Sequence, residues 1–204
     1  MRTFKVVMVV GIFSSLLFGA DSSDLVDLQK IDFSIRLDIR YATSQNFTKQ
    51  VIYPASRCLL RRPVAEALAR VQSSLRLQDL ALKVYDCYRP LSVQKAFWDL
   101  VPDEKYVADP QKGSRHNRGA AVDLTLVEAG SGRELEMPSQ FDDFSLKAHR
   151  SGKKASKVAR RNMRRLEAAM AKEGFLPFET EWWHFDYSGW EKYDLLDVPF
   201  SSFP

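Results

Sequence analysis

Two well-separated stretches constrain this chain more than anything else in it: Ser114-Arg115-His116-Asn117-Arg118-Gly119-Ala120-Ala121-Val122-Asp123 and Glu181-Trp182-Trp183-His184. Each couples a histidine to a carboxylate at an odd spacing, seven residues in the first and three in the second. Alternate residues of a strand point to opposite faces, so neither pair can occupy one regular strand and face one site. The arrangement works if His116 stands on a loop ahead of a strand over residues 120–127, with Gly119 making the turn and Asp123 on the strand. Glu181 would then stand at the entry of a second strand, because Trp182-Trp183-His184-Phe185-Asp186-Tyr187 is aromatic-rich and reads as strand rather than helix.

Brought together, His116, Asp123 and His184 make a donor set of two imidazoles and a carboxylate. Catalytic zinc takes three such ligands and keeps its fourth position for a water of lowered pKa. Hydrolysis also needs a carboxylate off the metal to move the water proton to the leaving group, and Glu181 is placed for that. One zinc per chain is expected. Ser114, His116 and Asp123 have the composition of a serine triad, but no Gly-x-Ser-x-Gly elbow is present, and Glu181 and His184 make better use of the same residues as metal ligands. His149, the remaining histidine, lacks such company and is read as an ordinary surface or core residue.

The length suits one well-cored domain. Arg2 and Lys5 precede an apolar run from Val6 to Phe18 that ends near Gly19-Ala20, which reads as a secretory signal peptide over residues 1–20, with the catalytic domain over 21–204. An uncleaved anchor is the alternative, since Phe18 is a poor fit to the small-residue cleavage pattern. A periplasmic or secreted location follows. The 30 basic and 26 acidic residues give a net charge of +4, and loss of Arg2 and Lys5 leaves +2, so nucleic-acid binding is not expected. The stretch 150–165 is locally basic and reads as a solvated helix face; weak attraction to anionic cell wall or membrane surface is the functional alternative. Cys58 and Cys87 pair in an oxidising compartment or stay as separate buried thiols, and sequence leaves both open.

Residues 31–41 alternate apolar and polar and predict a half-buried strand. Residues 42–61 predict a surface loop that lines a cleft or merely connects. Pro63 opens a helix with Val64, Leu68, Val71 and Leu75 on its core face; Leu80, Leu82 and Val84 predict a strand, and Ser92 a cap for a short helix with Val93, Phe97 and Leu100. After the 120–127 strand and a turn at Gly130-Ser131-Gly132, Leu135 and Met137 predict a return strand. Ala159, Met163, Leu166 and Met170 mark a helix ended by Gly174, and the tail from Trp190 should close over one edge. Helices and antiparallel strands are mixed without a repeating β-α-β alternation, so the class is α+β, with a central antiparallel sheet flanked by helices and the metal at the sheet edge.

The pattern Ser114-x-His116-x-x-Gly119-x-Ala121-x-Asp123 followed by Glu181-x-x-His184 resembles the signature of the zinc D-alanyl-D-alanine metallopeptidases. Tyr85-Asp86-Cys87-Tyr88-Arg89-Pro90 and the doubled tryptophan resemble more narrowly the D-Ala-D-Ala dipeptidase branch of the vancomycin-resistance type. The resemblance runs from about Leu25 to the C-terminus and implies a hedgehog/D-Ala-D-Ala peptidase-like fold. Pro90 holds Arg89 extended at a strand end, and the resemblance assigns Arg89 to the oxyanion and Asp142 to the free ammonium of a dipeptide, with solvation or capping as the plain alternative for Asp142; Ser114 is read as hydrogen-bonding the substrate carboxylate, with a structural turn role as its alternative. The implied function is zinc-dependent hydrolysis of D-alanyl-D-alanine to D-alanine, in wall metabolism or glycopeptide resistance. The alternatives are a D,D-carboxypeptidase acting on longer peptidoglycan stems and a non-catalytic zinc-containing wall-binding module.

Overall fold

The structure is a computed structural model that describes residues 25–152 and 155–203; the predicted signal segment 1–20, with Lys153 and Lys154, lies outside the described residues. Along the chain come β1 (Leu25–Asp27), α1 (Leu28–Ile31), β2 (Arg36–Leu37), β3 (Leu59–Arg61), α2 (Arg62–Arg76), β4 (Leu80–Asp86), α3 (Leu91–Leu100), β5 (Ala121–Glu128), α4 (Lys157–Lys172), β6 (Phe175–Phe178) and β7 (Glu181–Tyr187). Five strands form one sheet in the order β2-β4-β5-β7-β6, and β1 pairs with β3 in a separate ribbon. Pairing is antiparallel except for the two-residue parallel contact of β2 with β4. With α2 and α4 packed on each other and against β4 and β6, the fold is α+β.

The helices form where the periodicity placed them. Pro63 lies in the first turn of α2, where its missing N–H costs nothing, and Val64, Leu68, Val71 and Leu75 are buried. Each such side chain contributes about 1.5–3 kcal/mol. Gln72 on the same face spends its amide on the sheet: Oε1 accepts from Leu82 N at 2.8 Å and Nε2 donates to Ser34 O at 3.2 Å. In α4, Ser156 caps by accepting from Ala159 N at 2.9 Å, Ala159, Met163, Leu166 and Met170 are buried, and Gly174 at φ +85° follows the last turn.

Several expectations fail for identifiable reasons. The alternation over 31–41 does not make a strand: only Arg36–Leu37 pair, between α1 and a 3-10 turn at Arg40–Ala42. Ile35, Ile39 and Tyr41 are buried as predicted, but Phe33 is 85% exposed, because Asp32 Oδ1 accepts from Ser34 N and Oγ and folds the chain into a turn there. The return strand at Leu135 and Met137 reduces to one bridge, Val127 to Glu134, before Pro138 removes the next donor. Ser92 does not cap α3 with its side chain; its N–H donates to Asp197 Oδ1 at 2.8 Å, from the distant tail. Leu100 is exposed rather than packed. Cys58 and Cys87 form a disulfide with Cα atoms 5.2 Å apart.

The segment 42–61 is mostly loop; its Tyr53 donates to Asp86 and its Phe47 lines the cavity that His116, Asp123 and His184 also line. The tail closes over the His116 turn, with Leu196 N donating to Asn117 O at 2.9 Å and Phe200 against Tyr53 and Tyr88.

Candidate metal centre and hydrolytic site

His116 begins a 3-10 turn, His116–Arg118, that ends in Gly119 at φ +66°. A Cβ there would collide with the Leu25 side chain, so the turn requires glycine on both conformational and steric grounds. Two residues later β5 begins and carries Asp123, which lies opposite His184 in the β5–β7 register, so both side chains share a face. The two strands pair only from Ala121–Asp186 to Asp123–His184 and then part. Asp123 and His184 therefore stand on the inner strands at the end of their pairing, where the His116 turn meets the sheet.

Three donor atoms meet here: His116 Nε2 and His184 Nδ1 lie 3.2 Å apart, His184 Nδ1 and Asp123 Oδ1 2.9 Å, and His116 Nε2 and Asp123 Oδ1 3.4 Å. Tetrahedral zinc with bonds of about 2.0–2.1 Å separates its ligands by about 3.3 Å, so the triangle fits. Outer partners select the tautomers. His116 Nδ1 donates to the Cys87 carbonyl at 2.7 Å and His184 Nε2 to Asp186 Oδ1 at 2.9 Å, which turns the opposite nitrogen of each ring toward the common point. Burial works against a charged His184, but hydrogen bonds to Asp123 and Asp186 outweigh it and raise its pKa to about 10. At Asp123, burial is in turn outweighed by His116 and His184, which hold the carboxyl well below its usual range. Positive charge is thus favoured at this point, and His116, Asp123 and His184 would hold a divalent cation there in place of the proton.

Glu181 opens β7 with its Oε2 3.9 Å from His184 Nδ1 and its side chain 23% exposed. The odd spacing is resolved by an irregularity: on β6 the register passes from Pro177 opposite Phe185 directly to Phe178 opposite Glu181. The shift lets Glu181 and His184 line one cavity. Burial, with the Asp123 charge adding to it, holds the Glu181 carboxyl above its ordinary value.

That cavity, of about 380 Å³, also takes in Arg89, Ser114 and Asp142, so every site residue expected from sequence lines it. Arg89 is clamped: Nη2 donates to Asp86 Oδ2 at 2.7 Å and Nη1 to Gln94 Oε1 at 2.8 Å, with Phe97 beneath the guanidinium. Asp86 is fully buried and also accepts from Tyr53 Oη and Cys87 N. Asp142 accepts from Tyr41 Oη and Phe47 N, and burial together with Asp123 pushes its pKa up to about 7. Ser114 Oγ accepts from His116 N at 3.2 Å, a turn-shaping contact beside the cavity. Sequence reasoning missed Asp86, Gln94 and Asp186. Only Asp186 had a readable signal: two residues beyond His184 on one strand, it shares that face.

The chain is similar to curated proteins along nearly its whole length. It is 38% identical over 184 residues to the D-alanyl-D-alanine dipeptidase of Escherichia coli (strain K12), covering 90% of this chain and 95% of the relative. With the D-alanyl-D-alanine dipeptidase of Enterococcus faecalis (strain ATCC 700802 / V583) it shares 30% over 193 residues, 85% and 92% of the two chains. A solved structure of a vancomycin resistance D,D-pentapeptidase mutant in complex with Zn(II) matches at TM-score 0.44 and 17% identity over 68% of this chain and 78% of that one. The model of the D-Ala-D-Ala dipeptidase family of peptidases matches residues 21–204. With the His116–Asp123–His184 donor set and Glu181 beside it in the matched region, the chain belongs to the D-Ala-D-Ala dipeptidase family and is a metallopeptidase.

Proposed function

We propose that the protein binds one zinc ion through His116, Asp123 and His184 and hydrolyses D-alanyl-D-alanine to free D-alanine in the cell envelope. The observation that carries this is the donor triangle with Glu181 just outside it, in a cavity that also holds Arg89 and Asp142. Bound there, zinc supplies a Lewis acid for the scissile carbonyl and for water. Glu181, with its raised pKa, takes the proton of the attacking water and returns it to the departing amine. Arg89, held by Asp86 and Gln94, presents fixed positive charge to the oxyanion without having to reorganise. Asp142 receives the ammonium of a free dipeptide, which favours a short substrate over a stem peptide whose N-terminus is blocked. Export is supported by the apolar N-terminal run and by the Cys58–Cys87 disulfide, a bond that persists in oxidising compartments.

The test is release of D-alanine by zinc-loaded protein from D-Ala-D-Ala, its N-acetyl derivative and a stem pentapeptide. The free dipeptide is expected to be cleaved much the fastest; equal rates favour a carboxypeptidase, and no hydrolysis alongside wall binding favours a non-enzymatic module. Glu181→Gln should retain zinc and lose about 10²–10⁴ in turnover.

A further inference from the structure

The irregularity that turns Glu181 and His184 into one cavity leaves a gap in the sheet, and one side chain fills it. Trp182, Trp183 and His184 have no register partner on β6, and Pro177 brings no N–H to the ladder. The segment ahead of α4 covers this stretch instead: Trp182 N donates to Ala148 O and Arg150 N to Glu179 O, both at 2.9 Å. From there the Arg150 guanidinium spans both strands, with Nε donating to Phe178 O at 2.8 Å and Nη2 to His184 O at 3.0 Å. Nη1 lies 3.3 Å from Glu167 Oε2 on α4, the guanidinium packs over Phe185, and the side chain is only 6% exposed. Phe178, held at its carbonyl, in turn packs its ring against His184. Arg150 is therefore not part of the solvated basic face expected for 150–165.

We propose that Arg150 is a positioning residue for catalysis: its fork of donors replaces the ladder bonds lost at the β6–β7 irregularity and so sets the backbone that carries His184 and Glu181. This rests on the zinc-peptidase reading above. Truncation would leave two strand carbonyls without their donor, and the compact ammonium of lysine cannot reproduce the planar fork that reaches both.

The test compares Arg150→Met and Arg150→Lys with the parent by zinc affinity in competition with a chromophoric chelator, by the visible spectrum of the cobalt-substituted protein, and by kcat and KM on D-Ala-D-Ala. Arg150→Met is expected to bind zinc about 10- to 100-fold more weakly, to show an altered cobalt spectrum, and to lose about 100-fold in kcat with KM little changed; Arg150→Lys should fall between it and the parent. Leu75→Ala, in the α2 core, serves as the control for mere destabilisation and should lower the melting temperature while leaving zinc affinity and cobalt spectrum unaltered. Parental zinc affinity and cobalt spectrum in Arg150→Met overturn the proposal even if its melting temperature falls. Should Arg150→Met fail to fold, Arg150→Lys decides, since parental affinity and kcat there show that the fork is dispensable. A parent protein that binds no zinc sinks the zinc reading itself, a result distinct from either.

Discussion

Removing the Cys58–Cys87 disulfide, in a Cys58→Ala/Cys87→Ala variant, should destabilise the protein by an amount the chain connectivity sets. The cysteines are 29 residues apart, and the bond ties the end of β4 to the strand that precedes α2. In the chain-entropy account, a closed loop of that size removes about 3.5 kcal/mol of freedom from the unfolded ensemble. For a domain of this length, about 2–4 °C of melting temperature accompanies each kcal/mol, so a fall of about 7–14 °C is expected. Both sulfur atoms are buried, and the small space left by each adds to the loss rather than offsetting it. Urea unfolding followed by circular dichroism and tryptophan fluorescence would give the midpoint and slope for both proteins. Since the effect lies largely in the unfolded state, the variant should also unfold with a steeper slope, its unlinked chain exposing more surface. A variant with parental midpoint and slope would refute the reasoning, showing that the loop is already constrained without the bond.

His116→Ala, Asp123→Ala and His184→Ala should each lose zinc on dialysis while circular dichroism reports whether the fold survives, and stoichiometric zinc in all three would remove the ligand assignment. Asp142, pushed up to about 7 by burial and Asp123, should take up a proton as pH falls through that value and lose its attraction for an ammonium group, so KM for the free dipeptide rises on the acid side. Asp142→Asn should abolish that step in the KM–pH profile, and an identical profile in the variant would assign the step elsewhere. Lys157, Arg161 and Arg164 are exposed on α4 and are expected to behave as a solvated face, so cosedimentation with anionic vesicles should show no retention near physiological ionic strength; retention that only rising salt abolishes would favour the electrostatic alternative.

The site was more legible than the frame around it. His116, Asp123, Glu181 and His184 could be named because zinc hydrolysis demands a small, specific set of side chains, and their odd spacings already required a turn before one strand and an irregular entry to the other; the structure supplies both, at Gly119 and at the β6–β7 register shift. Helices α2 and α4 were equally plain, since a 3.6-residue apolar period over four turns has few other solutions. Over residues 31–41 the same kind of reading misled. Alternation reports which side chains are buried, and a turn at Asp32–Ser34 followed by a 3-10 segment buries Ile35, Ile39 and Tyr41 as well as a strand would.

By itself, then, the sequence pointed to the candidate donor set, to the carboxylate that stands beside it, to the main helices and to the α+β class, because these follow from residue chemistry and local period. Tertiary structure alone decided the pairing of Cys58 with Cys87, the Cys87 carbonyl behind His116, the Asp86–Arg89–Gln94 clamp and the placing of Arg150 under His184. Those contacts join a backbone carbonyl or a buried charge to a partner that the local pattern does not name. A buried polar group must find a partner somewhere, but only the packing of distant segments settles which one it meets.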